Sequence, residues 1–102
     1  MKMTQSKEYY VISVMAEMAG LHPQTLRYYE KMGILHPSRS QGNIRLYSRE
    51  DVERVKRIKT LTQDMGVNLA GVEIILNLTE QMEKMKIELM KEKELMKDRI
   101  RK

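Results

Sequence analysis

Gln24, Arg27, Tyr28 and Lys31 fall at i, i+3, i+4 and i+7 within the segment HPQTLRYYEKMG, His22 to Gly33. At about 100° per residue, this spacing sets an amide, a guanidinium, a phenol and an ammonium on one stripe of a helix. All four can donate hydrogen bonds and none is acidic. The stripe therefore suits an acceptor-rich polyanion. Amide and guanidinium groups reach base edges in a major groove, whereas Lys and Tyr suit phosphate oxygens. Thr25, in the same turn as Gln24, joins the candidate set. Leu26, Tyr29 and, at one edge, Met32 turn to another side and can serve a core. A plain solvated face lacking acids would share the pattern, so neighbouring segments must decide between the two.

A second cluster lies downstream in ILHPSRSQGNIRLYS, where Arg39, Asn43 and Arg45 surround Gly42. Pro37 and the Ser-Gln-Gly-Asn run read as a hairpin tip, with Ile44–Tyr47 as the returning strand. Arginines on such a projection can straddle a phosphate backbone or reach a neighbouring minor groove. Tyr47, one residue before the next helix cap, either packs under the hairpin or touches a phosphate.

The elements that must hold these groups are short. EYYVIS has strand character, Ser13 offers an N-cap to VMAEMA, and Gly20 offers its stop. Pro23 opens the next helix, expected over 23–32, and Gly33 closes it. Two short helices joined by a Gly-containing turn form a helix-turn-helix pattern. Ser48 and Asp51 resemble a capping box, with Asp in place of Glu, for a third helix. Val52, Val55, Ile58 and Leu61 line that helix among basic residues until Gly66. Asn68 caps a fourth, short helix through LAGVEIILNL, striped by Leu69, Val72, Ile75 and Leu76. From Thr79 on, helix formers replace Gly and Pro. Met82, Leu89 and Met96 recur every seven residues with Met85 between them, a dimerisation seam interrupted by Glu92 and Arg99.

The 102-residue chain carries a net charge of +5 and contains no Cys, Phe or Trp, but ten Met. Eleven basic residues against seven acidic ones precede Val67, and eight against seven follow, so the surplus sits in the front half. That bias points the front towards nucleic acid and the back towards a solvated helix. A chain this small leaves much apolar surface uncovered, so a partner surface is expected to complete it. Without cysteine, disulfides and thiolate metal sites are excluded. The N-terminus lacks a signal-type apolar region and no run spans a membrane, which fits a cytoplasmic protein with no membrane partner. His22 and His36 each precede a proline and have no companion ligands, so no metal and no cofactor are expected. No nucleophile–base set or phosphate-cradling Gly loop points to an enzyme.

The order of helix, turn, helix with TLRYYE, hairpin with GNIRLYS and basic third helix resembles the DNA-binding domain of the MerR family of winged-helix regulators. The resemblance covers about residues 9–77, with TLRYYEKMGIL and the G-x-x-R-x-Y-S wing in register. A finer likeness, to the HspR-like heat-shock repressor branch, rests on HPQTLR, PSRSQGNIRLYSREDVERV and LTQDMGVNLAGVEIIL. It implies an all-α fold with a small β wing, a winged helix-turn-helix followed by a long C-terminal dimerisation helix in an antiparallel coiled coil. The parts would be an N-terminal tail over 1–8, a DNA-binding domain over 9–77 and a coiled-coil helix over 78–102. A homodimer would bind an inverted repeat in double-stranded DNA and repress chaperone operons, with a DnaK-type chaperone as co-repressor. DNA contacts carry over from matching motifs to Arg27, Tyr28, Arg45 and Tyr47. Gln24, Lys31, Arg39 and Asn43 rest on the stripe and tip arguments instead. Two other readings stay open: a MerR-like activator whose effector-binding region lies outside this sequence, and a basic coiled-coil adaptor.

Overall fold

The computed structural model describes residues 8–101. The tail expected over 1–8, apart from Glu8, lies outside the described residues, as does Lys102. In chain order the elements are strand β1 (Tyr9–Tyr10), helices α1 (Ile12–Ala19) and α2 (Pro23–Lys31), strands β2 (Ser38–Arg39) and β3 (Arg45–Ser48), and helix α3 (Arg49–Lys59). A π-helical turn, Thr60–Asp64, follows, and then helix α4 (Leu69–Arg101). The fold is mostly helical with one small sheet, as expected. Packing divides the chain into two compact units after Gly66.

In the first unit, α1 starts earlier than its expected cap. Val11, with φ −75° and ψ 166°, precedes the helix without a side-chain cap, and Ser13 lies inside it. Burial explains the correction. Ile12 is half-buried and Met15, Ala16 and Ala19 are buried, so the apolar helical spacing already begins at Ile12. The end of α1 is where the sequence puts it. Gly20 takes φ +70°, its N–H donates to the Glu17 carbonyl at 3.2 Å, and Leu21 N–H donates to Ala16 at 2.9 Å. Lys59 Nζ, at the end of α3, donates to the carbonyls of Ala19 and Gly20, each at 3.3 Å. A Cβ at Gly20 would stand 2.8 Å from that nitrogen, so glycine serves both the backbone angle and the approach of the lysine.

The second helix of the pair is capped at both ends. His22 Nδ1 accepts from Gln24 N–H at 3.0 Å and Pro23 occupies the first turn. At the far end Gly33 N–H donates to Glu30 and Ile34 N–H to Tyr29, at 3.0 and 3.1 Å. Arg54 Nε then donates to the Ile34 carbonyl at 2.8 Å, tying α3 to the chain leaving α2.

The sheet has the order β1–β3–β2 and is antiparallel throughout, with Tyr10 opposite Tyr47, Ser38 opposite Leu46 and Arg39 opposite Arg45. The returning strand starts at Arg45, one residue later than expected, and Ile44 is exposed. Ser48 ends β3 and caps α3 with no intervening loop. Its Oγ accepts from Asp51 N–H at 3.1 Å, and Asp51 Oδ2 accepts from Ser48 N–H at 2.9 Å. This reciprocal box is the one expected. Val52, Val55, Ile58 and Leu61 are buried, and the π-helical turn carries the last of them inward.

In the second unit, Asn68 Oδ1 accepts from Gly71 N–H at 2.8 Å and begins α4 as expected. The expected short fourth helix does not end there. α4 continues unbroken for 33 residues, because no Gly or Pro follows Gly71 and helix formers dominate. At ~1.5 Å per residue it is roughly 50 Å long. Val72 and Leu76 are buried, while Leu69 and Ile75 are half-buried. Among the described residues no helix is long and apolar enough to cross a membrane.

Candidate nucleic-acid interface

The amphipathic division of α2 is sharp. Leu26 and Tyr29 are buried, whereas Gln24, Arg27, Tyr28 and Lys31 are exposed and Thr25 is half-buried. The four stripe residues thus share one accessible face, as their spacing requires. They also interact: Arg27 Nη1 donates to Gln24 Oε1 at 2.7 Å. With its oxygen held, Gln24 keeps its NH2 donors available, and Arg27 is drawn along the helix towards the N-terminal turn. The Tyr28 ring is half exposed and lies 6.5 Å from that of Tyr29, tilted by 47°.

The wing arginines are not loose. Glu30, the single acid of the His22–Gly33 segment, accepts from Arg45 Nε through Oε1 at 2.6 Å and from Arg39 Nη2 through Oε2 at 2.9 Å. One carboxylate therefore fastens both strands of the wing to α2. The Arg45 hydrogen bond holds the Glu30 carboxyl below the usual carboxylate range, against partial desolvation that pushes it up, with Arg39 adding to the lowering. Reciprocally, the Glu30 hydrogen bond raises the Arg45 guanidinium. Sequence reasoning missed Glu30 because its partners lie nine and fifteen residues away and no helical or strand period links them. The available signal was a lone acid on a basic helix facing a basic hairpin.

At the tip, Asn43 adopts φ +64°, the left-handed region that Asn tolerates better than most residues. Its N–H donates to the Ser40 carbonyl at 2.9 Å, and Ser40 N–H donates to the Ile44 carbonyl at 2.9 Å. Asn43 is exposed, but this backbone role already accounts for its side-chain type. Tyr47 requires a correction. It has no exposed surface, and its hydroxyl is buried without a hydrogen-bond partner among the described residues. Burial pushes the phenol up. Of the two roles open to Tyr47, its complete burial favours packing beneath the wing; Arg45, on the same face of β3, and Leu46, on the other, both stay half-buried.

On α4 the expected seam residues Met82, Met85, Leu89 and Met96 form part of a longer line with Ile74, Leu78 and Ile100. All seven are more than half exposed. At 100° per residue they stay within about 40° of one straight line along the helix. Glu92 interrupts it, as the heptads indicate. Ile74, Leu78 and Ile100 were missed, although Leu78 stands seven residues before Met85.

Two short helices set at a capped turn, a hairpin wing within a three-stranded sheet and a third packed helix define a winged helix-turn-helix protein. The profile of the MerR HTH family of regulatory proteins matches residues 10–79, and the chain belongs to that family, whose members are transcription regulators and not enzymes. It is 45% identical over 80 residues to "Putative heat shock protein HspR" of Streptomyces coelicolor, covering 78% of this chain and 53% of that protein. It is 34% identical over 99 residues to the transcriptional regulator GlnR of Bacillus anthracis, covering 96% and 75% of the two chains. The chain thus spans about half the length of the HspR relative. Among solved structures, a MerR family regulator from Bacillus cereus superposes with a TM-score of 0.64 at 25% identity, over 85% of this chain and 71% of that one. HiNmlR, a MerR family regulator lacking the sensor domain and bound to promoter DNA, superposes with a TM-score of 0.63 at 23% identity, over 71% and 55%.

Proposed function

We propose that this protein is a sequence-specific DNA-binding transcriptional repressor of stress (chaperone) genes, acting in the cytoplasm as a homodimer on an inverted repeat. The observation that carries the reading is the accessible, acid-free stripe of Gln24, Arg27, Tyr28 and Lys31, set beside the arginine-bearing wing that Glu30 fastens to it. α2 enters the major groove, where Gln24 and Arg27 meet base edges while Thr25, Tyr28 and Lys31 meet phosphates. Arg45 and Arg39, with Asn43 at the tip, contact the flanking backbone. Residues 9–77 are the DNA-binding part, and residues 78–102 pair with a second copy through Met82, Met85, Leu89 and Met96. Identity to the HspR relative supports the heat-shock branch, and a DnaK-type chaperone as co-repressor is what the resemblance to that branch implies.

The test is fluorescence anisotropy on two labelled duplexes across a salt series. One carries an inverted repeat from upstream of the host's chaperone operon, and the other is its scrambled version. A preference of ~10³-fold or more, strengthened by added DnaK-type chaperone, is expected. Equal, steeply salt-dependent binding to both would overturn the operator assignment. A second reading, a transcriptional regulator of a different gene set, draws on the likeness to GlnR, which covers 96% of this chain. Selection of preferred duplexes from a random library separates the two readings.

A further inference from the structure

We infer that Glu30 is a specificity-determining residue: by fastening both wing arginines to α2, it makes binding to ill-fitting DNA costly. The inference rests on the DNA-binding reading above and adds a role for an acid on an otherwise cationic face.

The geometry divides the guanidinium donors unequally. Glu30 takes Nε of Arg45 at 2.6 Å and leaves both Nη groups of that arginine without a partner among the described residues. It takes Nη2 of Arg39 at 2.9 Å, while Nη1 of Arg39 leans towards the Asn43 carbonyl at 3.5 Å. Each arginine is thus oriented by the carboxylate yet keeps donors for a phosphate. When α2 lies in the groove of a fitting site, the wing is already at a fixed distance from it, and those remaining donors meet the backbone without reorganisation. On a poorly fitting duplex the arginines must leave Glu30 to reach a phosphate. The two ion pairs are then lost, and a carboxylate faces the DNA. The penalty falls on wrong complexes alone, which is how specificity is raised by disfavouring competitors.

Glu30→Gln keeps the size and one acceptor oxygen but removes the charge. Wild type and variant would be titrated by anisotropy against a random-sequence duplex and against the duplex that wild type selects from a random library. Loss of two partly exposed ion pairs should raise random-duplex affinity roughly two- to thirtyfold, with selected-duplex affinity unchanged or lower. In an Arg39→Gln/Arg45→Gln background the same substitution should have a much smaller effect, because the carboxylate then has no guanidinium to hold. A bare charge effect would persist there. Parallel weakening on both duplexes, or an unchanged ratio between them, would overturn the inference. Wild type that binds neither duplex would instead sink the DNA-binding reading. Should Glu30→Gln fail to fold by circular dichroism, Glu30→Asp keeps the charge but falls short of spanning both guanidinia. A smaller gain in the same direction is expected of it, and no gain would overturn the inference.

Discussion

Leu89→Glu should dissociate the proposed dimer, and Leu95 provides the control. Both leucines are 60% exposed, so exposure alone cannot tell a seam from a solvated flank. Six residues separate them, which is about 240° round an α-helix, so only Leu89 lies on the line from Ile74 to Ile100. Fully burying a leucine stabilises by about 1.5–3 kcal/mol. With 60% of its surface still open, Leu89 has roughly 1–2 kcal/mol left to gain in each copy. Symmetry counts the residue twice, so losing it costs about 2–4 kcal/mol, or roughly 30- to 1,000-fold in the dimer dissociation constant. A carboxylate forced into the seam adds to that cost. Sedimentation equilibrium over a concentration series would read the constant for wild type, Leu89→Glu and Leu95→Glu. Leu89→Glu should run as a monomer where wild type and Leu95→Glu are dimers. If Leu95→Glu were the disruptive change, or if neither were, the seam would not be the line of seven residues.

Other expectations follow from the same geometry. Arg45→Ala should lower the salt-dependence slope of DNA binding by about one, and it should weaken affinity more than Arg39→Ala, because it removes the shorter bond to Glu30. Gln24→Ala should relax base preference at one position of each half-site without changing the slope, and uniform weakening across a duplex library would exclude base reading. Ser48→Ala removes one arm of the capping box and should destabilise the domain by about 1 kcal/mol, a fall of about 4–8 °C in melting temperature, read by circular dichroism. The Glu30 carboxyl is depressed in the folded protein, so its stabilisation is complete above the ordinary, unfolded carboxylate value and fades as pH drops through the lower folded one. Urea denaturation of wild type and Glu30→Gln should therefore show a stability gap at neutral pH that closes in acid, and a gap independent of pH would contradict the ion pair.

Much of the fold was legible because local rules and burial agree. Pro23 and Gly33 bracket α2, Ser48 and Asp51 box α3, and the Val52–Leu61 spacing marks the buried face. Where two local signals competed, the weaker one misled. Ser13 is a good capping type, but the apolar spacing through Ile12 outweighs it. The change of composition at Thr79 suggested a separate helix after LAGVEIILNL, but with no Gly or Pro beyond Gly71 nothing there stops α4. The stripe on α2 could be read from spacing alone. Glu30, by contrast, acts across the hairpin, and such a contact depends on where the wing folds back. Tyr47 illustrates a different limit: its motif position is shared by a packing role and a contact role, and only its burial in the folded chain chooses between them.

The direct junction at Ser48 has an engineering consequence. Because the same residue closes the sheet opposite Tyr9 and starts α3, no slack exists there to absorb a change in chain length. One residue added after Ser48 would turn α3 by about 100° and swing Val52, Val55 and Ile58 off the core. The other end of the hairpin has no such constraint, since Gln41 and Gly42 are exposed and no strand pairing runs through them. A peptide tag spliced between these two residues should leave the scaffold folded, whereas a single alanine inserted after Ser48 should unfold it.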